Sequence, residues 1–102
     1  MDITGKLKQE IEENPVILYM KGTKEFPQCG FSSHAVYILM QTGVDFETRD
    51  VLVNPEVRQQ LPLVSNWPTF PQLFIRGELV GGSDIVKEHF QSGELQRLLA
   101  EV

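Results

Sequence analysis

Cysteine is almost missing from this chain, with one thiol, Cys29, among 102 residues. An internal disulfide is therefore impossible, and the count agrees with a reducing, cytoplasmic setting. Basic residues are also scarce: 9 Lys and Arg stand against 14 Asp and Glu, a net charge of −5. A nucleic-acid binder needs a basic face to neutralise phosphates, so that class is disfavoured. No apolar run approaches the length of a bilayer span, which argues against a membrane protein. The opening Met1-Asp2-Ile3-Thr4-Gly5-Lys6 lacks the basic-then-apolar order of a signal peptide. Only two histidines are available, His34 and His89, and they do not form a two-His zinc spacing. What remains, 41% hydrophobic and 23% charged residues, is ordinary for a folded protein, and the length suits one domain over residues 1–102.

Ile3, Leu7 and Ile11 recur every four residues amid charged neighbours, which predicts an amphipathic helix over 3–13, stopped by Asn14-Pro15. The unbroken run Val16-Ile17-Leu18-Tyr19-Met20 reads as a central strand covered on both faces. A loop over Gly22–Gln28 leads to Cys29. From Gly30, Phe31, Ala35, Ile38 and Leu39 recur at helical spacing, with Gly43 as the stop. Val44–Val51 reads as a half-buried strand. Asn54-Pro55 opens a short helix over 55–61 that should end before Pro62. Gln72–Arg76 and Leu79-Val80 form a hairpin turned at Gly77-Glu78. Ser83 is a plausible cap for a helix to about Gln91, and Leu95, Leu98, Leu99 and Val102 mark a last helix after Ser92-Gly93. The order α-β-α-β-α-β-β-α-α fits an α/β fold with a central mixed sheet flanked by helices.

Cys29 precedes a helix, where free backbone N–H groups stabilise a thiolate over a thiol, and Lys21 at the end of the first strand adds to that field. The alternative for a free cysteine is a small buried hydrophobe. Position 32 is serine, so no Cys-x-x-Cys exists and two-thiol exchange within one chain is excluded. Any exchange needs an outside thiol, and any metal cluster needs further ligands. His34 lies about 140° around the helix from Cys29 and should face elsewhere, as a solvated residue. His89 reads the same way.

Four motifs in order carry a resemblance: Lys21-Gly22-Thr23, Phe26-Pro27-Gln28-Cys29-Gly30-Phe31-Ser32, Ser65-Asn66-Trp67-Pro68-Thr69-Phe70-Pro71, and Gly81-Gly82-Ser83-Asp84. Over nearly the whole chain the sequence resembles the monothiol glutaredoxins of the Cys-Gly-Phe-Ser class. The resemblance implies a thioredoxin-like fold, with a four-stranded mixed sheet, that binds glutathione beside the cysteine. It implies a cis bond at Phe70-Pro71, Lys21 and Arg58 on the glycine carboxylate of glutathione, and Phe70 on its middle residue through the backbone. Ser83, Asp84 and the helix start behind Gly82 would take the γ-glutamyl end. Read without the resemblance, Arg58 is a solvated helix charge, Asp84 an early-helix acid, and Trp67 a packing residue. Two departures stand out. Ser83 occupies a position where many relatives carry a second cysteine, and Lys24 replaces a proline common in the loop.

An iron–sulfur cluster of the [2Fe-2S] type usually takes four thiolates, and this chain supplies one. The resemblance implies a homodimer bridged by one cluster, each side giving Cys29 and a bound glutathione. It also implies delivery to apo iron–sulfur proteins and pairing with BolA-like partners. The rival reading is enzymatic: Cys29 as the nucleophile of a glutathione-dependent thiol–disulfide oxidoreductase. The same thiol and pocket serve both. The loop ahead of Cys29 and the Trp67-Pro68 pair, by resemblance, favour the carrier.

Overall fold

A computed structural model describes residues 2–102. The chain runs α1 (Ile3–Glu13), β1 (Val16–Met20), α2 (Gly30–Thr42), β2 (Glu47–Asp50), α3 (Pro55–Ser65), β3 (Gln72–Ile75), β4 (Glu78–Gly81), α4 (Ser83–Ser92) and α5 (Glu94–Leu99), the order expected from the sequence. The four strands form one sheet in the order β2-β1-β3-β4, with β1 parallel to β2 and antiparallel to β3. This is the central mixed sheet flanked by helices that the residue pattern called for.

The position of β1 explains its composition. Successive side chains of a strand point to opposite faces. Val16, Leu18 and Met20 enter a core built from α2, α4 and α5, with Ala35, Leu39, Val86 and Leu95. Ile17 and Tyr19 enter a second core with Leu7 and Ile11 of α1 and Leu61 of α3. Every residue of β1 is buried, so both faces of the strand are covered. A hydrogen bond from Tyr19 Oη to Glu10 Oε1 (2.5 Å) fastens α1 to the sheet, and Glu10 Oε2 accepts from Arg49 Nε on β2 at 3.0 Å. Burial, then the bond to Glu10, keeps the Tyr19 phenol protonated far above its usual range.

Local sequence and tertiary packing disagree in six places, the first being Val102, expected in the last helix but exposed beyond α5, which ends at Leu99. The helix expected over 55–61 continues through Pro62 to Ser65. Pro62 deprives the Arg58 carbonyl of its helical donor, yet the extra turn packs Val64, with Leu61 and Val57, against the second core. Left-handed Asn66 (φ 56°) then ends the helix. The strand expected over 44–51 is only Glu47–Asp50. Ile17 pairs with Glu47, so residues 44 and 45 would lie beside Asn14-Pro15, where the chain is leaving α1 and proline offers no donor.

The hairpin turns one residue earlier than expected, because Ile75 pairs with Glu78 and the two turn residues are Arg76 (φ 50°) and Gly77 (φ 82°). Positive φ at both positions matches the right-handed twist of the strands. Ser83 is the first residue of α4 rather than its cap; Gly82 holds the cap position. Phe31 has the spacing of a core residue but is 69% exposed, whereas Val36, absent from the expected core positions, is buried.

Candidate functional site beside Cys29

The site forms where three segments meet at the sheet's rim: the loop after β1, the loop between α3 and β3, and the start of α4. Cys29 is the N-terminal cap residue of α2, in extended conformation (φ −154°, ψ 138°), and its thiol is partly exposed. Its pKa is lowered chiefly by the Ser32 backbone N–H, with the Phe31 N–H, the Lys21 ammonium and the Ser32 hydroxyl acting the same way against partial burial. The field inferred for a helix start with Lys21 nearby is therefore present.

The loop that delivers Cys29 is tightly folded. Gly22 and Pro27 form a bridge, Thr23 and Phe26 exchange backbone hydrogen bonds, and the Gln28 N–H donates to the Lys21 carbonyl at 2.9 Å. Gly22 (φ 93°) leaves no room for a side chain, since a Cβ there would lie 2.5 Å from the Phe26 carbonyl oxygen. Asp50 Oδ1 accepts from the Gly22 and Leu52 N–H groups, tying this loop to the end of β2. Lys24 ties it a second time: Nζ donates to the Phe46 carbonyl at 2.8 Å and sits 4.1 Å from the centre of the Phe46 ring. The lysine that stands in for a loop proline thus anchors the loop without covalent restraint. Phe26, 74% exposed, and Phe31 leave two rings bare near the thiol in sequence.

Across from Cys29, the Phe70–Pro71 peptide is cis, as the resemblance implies. Gln72, wholly buried at the start of β3, donates from Nε2 to the carbonyls of Trp67 (2.8 Å) and Thr69 (3.1 Å). Trp67 is half-buried, its indole N–H buried near Gly82, and it does not line the groove. Packing was the reading its sequence alone favoured. Gly82 lets the start of α4 approach Pro71, whose carbonyl oxygen would lie 3.4 Å from a Cβ there.

A groove of about 580 Å³ results, and all six residues singled out from the sequence line it: Lys21, Cys29, Arg58, Phe70, Ser83 and Asp84. Phe31, Pro68, Thr69, Pro71 and Gly82 complete the lining. These were not singled out as site residues, although each lies within a motif already quoted. The groove combines two cations, one carboxylate and a helix start whose cap residue has no side chain, so the first-turn N–H groups of α4 are free to meet an anion. His34 is exposed as expected, but it does not face away from the site: its Nδ1 lies 3.4 Å from Ser83 Oγ. Half-buried His89 lies on α4 and does not line this groove.

The glutaredoxin family model matches residues 16–80. Glutaredoxin 4 of Haemophilus ducreyi is 54% identical over 101 residues, covering 99% of this chain and 94% of that protein. Glutaredoxin 4 of Escherichia coli K12 is 54% identical over 96 residues, covering 94% and 84%. Among solved structures, reduced poplar apo GrxS14 superposes with a TM-score of 0.84 at 46% identity, covering 97% of this chain and 91% of that one. A buckwheat glutaredoxin–glutathione complex superposes with the same TM-score at 26% identity, covering 96% and 87%. The sheet order, the lone thiol at a helix start and these likenesses agree: the chain belongs to the glutaredoxin family, with the thioredoxin-like fold, as a single-thiol member similar to glutaredoxin 4.

Proposed function

We propose that this protein, acting through residues 1–102 as one glutaredoxin domain, binds glutathione in the groove beside Cys29. Two copies would then carry a [2Fe-2S] cluster as cargo for apo iron–sulfur proteins. The observation that carries the reading is the convergence of an activated, partly exposed thiol with a groove whose charges match the tripeptide. Glutathione has two carboxylates and an amine. Lys21 and Arg58 are suited to the glycine carboxylate, the Phe70 backbone to the peptide-like middle, and Ser83 with the free N–H groups of α4 to the γ-glutamyl carboxylate. Asp84 is suited to the amine.

The donor chemistry fits a cluster only if ligands come from outside the chain. Cys29 supplies one soft thiolate, and among the described residues no group of three His, Cys, Asp or Glu is placed to hold a metal. A second Cys29 and two glutathiones complete four, which makes the carrier a homodimer when loaded. BolA-like proteins are proposed to pair at the same face. The setting proposed is the cytoplasm; among the described residues no helix is long and apolar enough to cross a membrane.

The lowered Cys29 pKa favours a second reading alongside the first. The thiolate attacks the glutathione sulfur of a protein–glutathione mixed disulfide, that S–S bond breaks, and the protein thiolate leaves. A second glutathione thiolate then attacks the new bond, releasing glutathione disulfide and restoring Cys29. Anaerobic reconstitution with iron and sulfide separates the readings. With glutathione a coloured dimer is expected, and without it a colourless monomer. A colourless monomer in both, with brisk turnover of a glutathionylated substrate, overturns the carrier in favour of the oxidoreductase. Colour held by a monomer without glutathione overturns the shared ligand set.

A further inference from the structure

Gln72 is an expensive residue in its position. It is wholly buried, it opens a strand whose other members are Leu73, Phe74 and Ile75, and its Oε1 has no hydrogen-bond partner. An apolar side chain of similar length would avoid burying that unmet acceptor. What the amide supplies instead is one nitrogen shared between the carbonyls of Trp67 and Thr69, two residues apart in the loop that lines the groove. The bond to Thr69 has a geometric consequence. The Thr69–Phe70 peptide is trans, since Phe70–Pro71 is the cis bond of this loop, and in a planar trans peptide the C=O and the N–H point in opposite directions. Turning the Thr69 carbonyl inward to Gln72 therefore turns the Phe70 N–H away from it. Among the described residues no hydrogen bond uses that N–H, and Phe70 lines the groove.

We propose that Gln72 is a positioning residue that aims the Phe70 N–H into the groove as a ready-made donor for a peptide-like ligand. The proposal rests on the glutathione reading above. It makes Gln72 part of the binding apparatus although the side chain never reaches the ligand.

The test is a titration with reduced glutathione under reducing conditions, followed by amide spectra of the wild type, Gln72→Met and Lys21→Ala. Gln72→Met keeps the length and removes both the donor and the unmet acceptor. It is expected to weaken binding about tenfold, while hydrogen exchange of the β1 amides stays at the wild-type rate. Weakening by Lys21→Ala with less than a twofold effect of Gln72→Met overturns the role of Gln72 and leaves the glutathione reading standing. Absence of saturable binding by the wild type removes both. Faster β1 exchange in step with the lost affinity marks Gln72 as merely structural and also overturns the proposal. The wild type gives a further check if the variant does not fold. Its Phe70 amide should exchange quickly alone and be protected by glutathione, and protection already present without ligand overturns the proposal.

Discussion

Ser32 Oγ accepts a hydrogen bond from the Lys21 backbone N–H at 3.1 Å. The serine standing where a resolving thiol would be is wholly buried and joins the end of β1 to the first turn of α2. The same hydroxyl helps lower the Cys29 pKa. It serves as an acceptor toward the loop and a donor toward the sulfur.

Ser32→Ala should therefore lower stability by about 1 kcal/mol in denaturant unfolding, the usual net worth of one hydrogen bond. It should also raise the Cys29 pKa in alkylation assays. The colour of reconstituted protein should persist, because a hard hydroxyl is a poor substitute for thiolate at iron. Loss of colour would make Ser32 a ligand.

Cys29 alkylation followed against pH should give an apparent pKa below the roughly 8.5 of a free cysteine. A stability effect accompanies it. Since the folded chain releases this proton at lower pH than the unfolded chain, the thiolate's contribution is complete above about pH 8.5 and disappears as pH falls through the folded pKa. Unfolding free energy should thus rise with pH across that window in the wild type. In Cys29→Ser that rise should vanish, together with the reconstituted colour.

Gly22→Ala places a methyl group against the Phe26 carbonyl oxygen in a conformation that side chains rarely adopt. The strain alone should cost about 1–3 kcal/mol. Because the displaced loop carries Cys29, the alkylation rate at fixed pH should change as well. Unaltered thiol reactivity would mean that the loop geometry does not govern the site.

Tyr19→Phe tests the tie between α1 and the sheet. It removes the hydroxyl that donates to Glu10 and should destabilise the fold by about 1.5–3 kcal/mol, the range for hydrogen bonds to charged groups. Glutathione affinity and Cys29 reactivity should be unchanged, which isothermal titration and alkylation would check.

Where one local rule dominates, the sequence was a sufficient guide. The apolar run Val16–Met20, the four-residue rhythm of Ile3, Leu7 and Ile11, and Gly43 at the end of α2 all have the structure they announce. It misled where distant partners decide. Val64 and Leu61 carry α3 past Pro62, strand register shifts the hairpin turn to Arg76-Gly77, and the pairing of β1 shortens β2. The site followed the same division. Cys29 and Lys21 were legible from a strand end and a helix start, and Arg58, Phe70, Ser83 and Asp84 from the ordered motifs. The contact of His34 with Ser83 and the grip of Gln72 on the loop were not, because each joins residues that meet only after folding.

Phe26 and Phe31 have a consequence for any encounter at this end of the molecule. One lies three residues before Cys29 and the other two after it, and water covers most of both. A partner broad enough to seal the sulfur from solvent would also shelter phenyl surface, at a gain of about 25 cal/mol for each Å². Shielding the reactive atom and adhering to the visitor are then a single event, while a ligand as slender as a tripeptide leaves the rings wet and the doorway open.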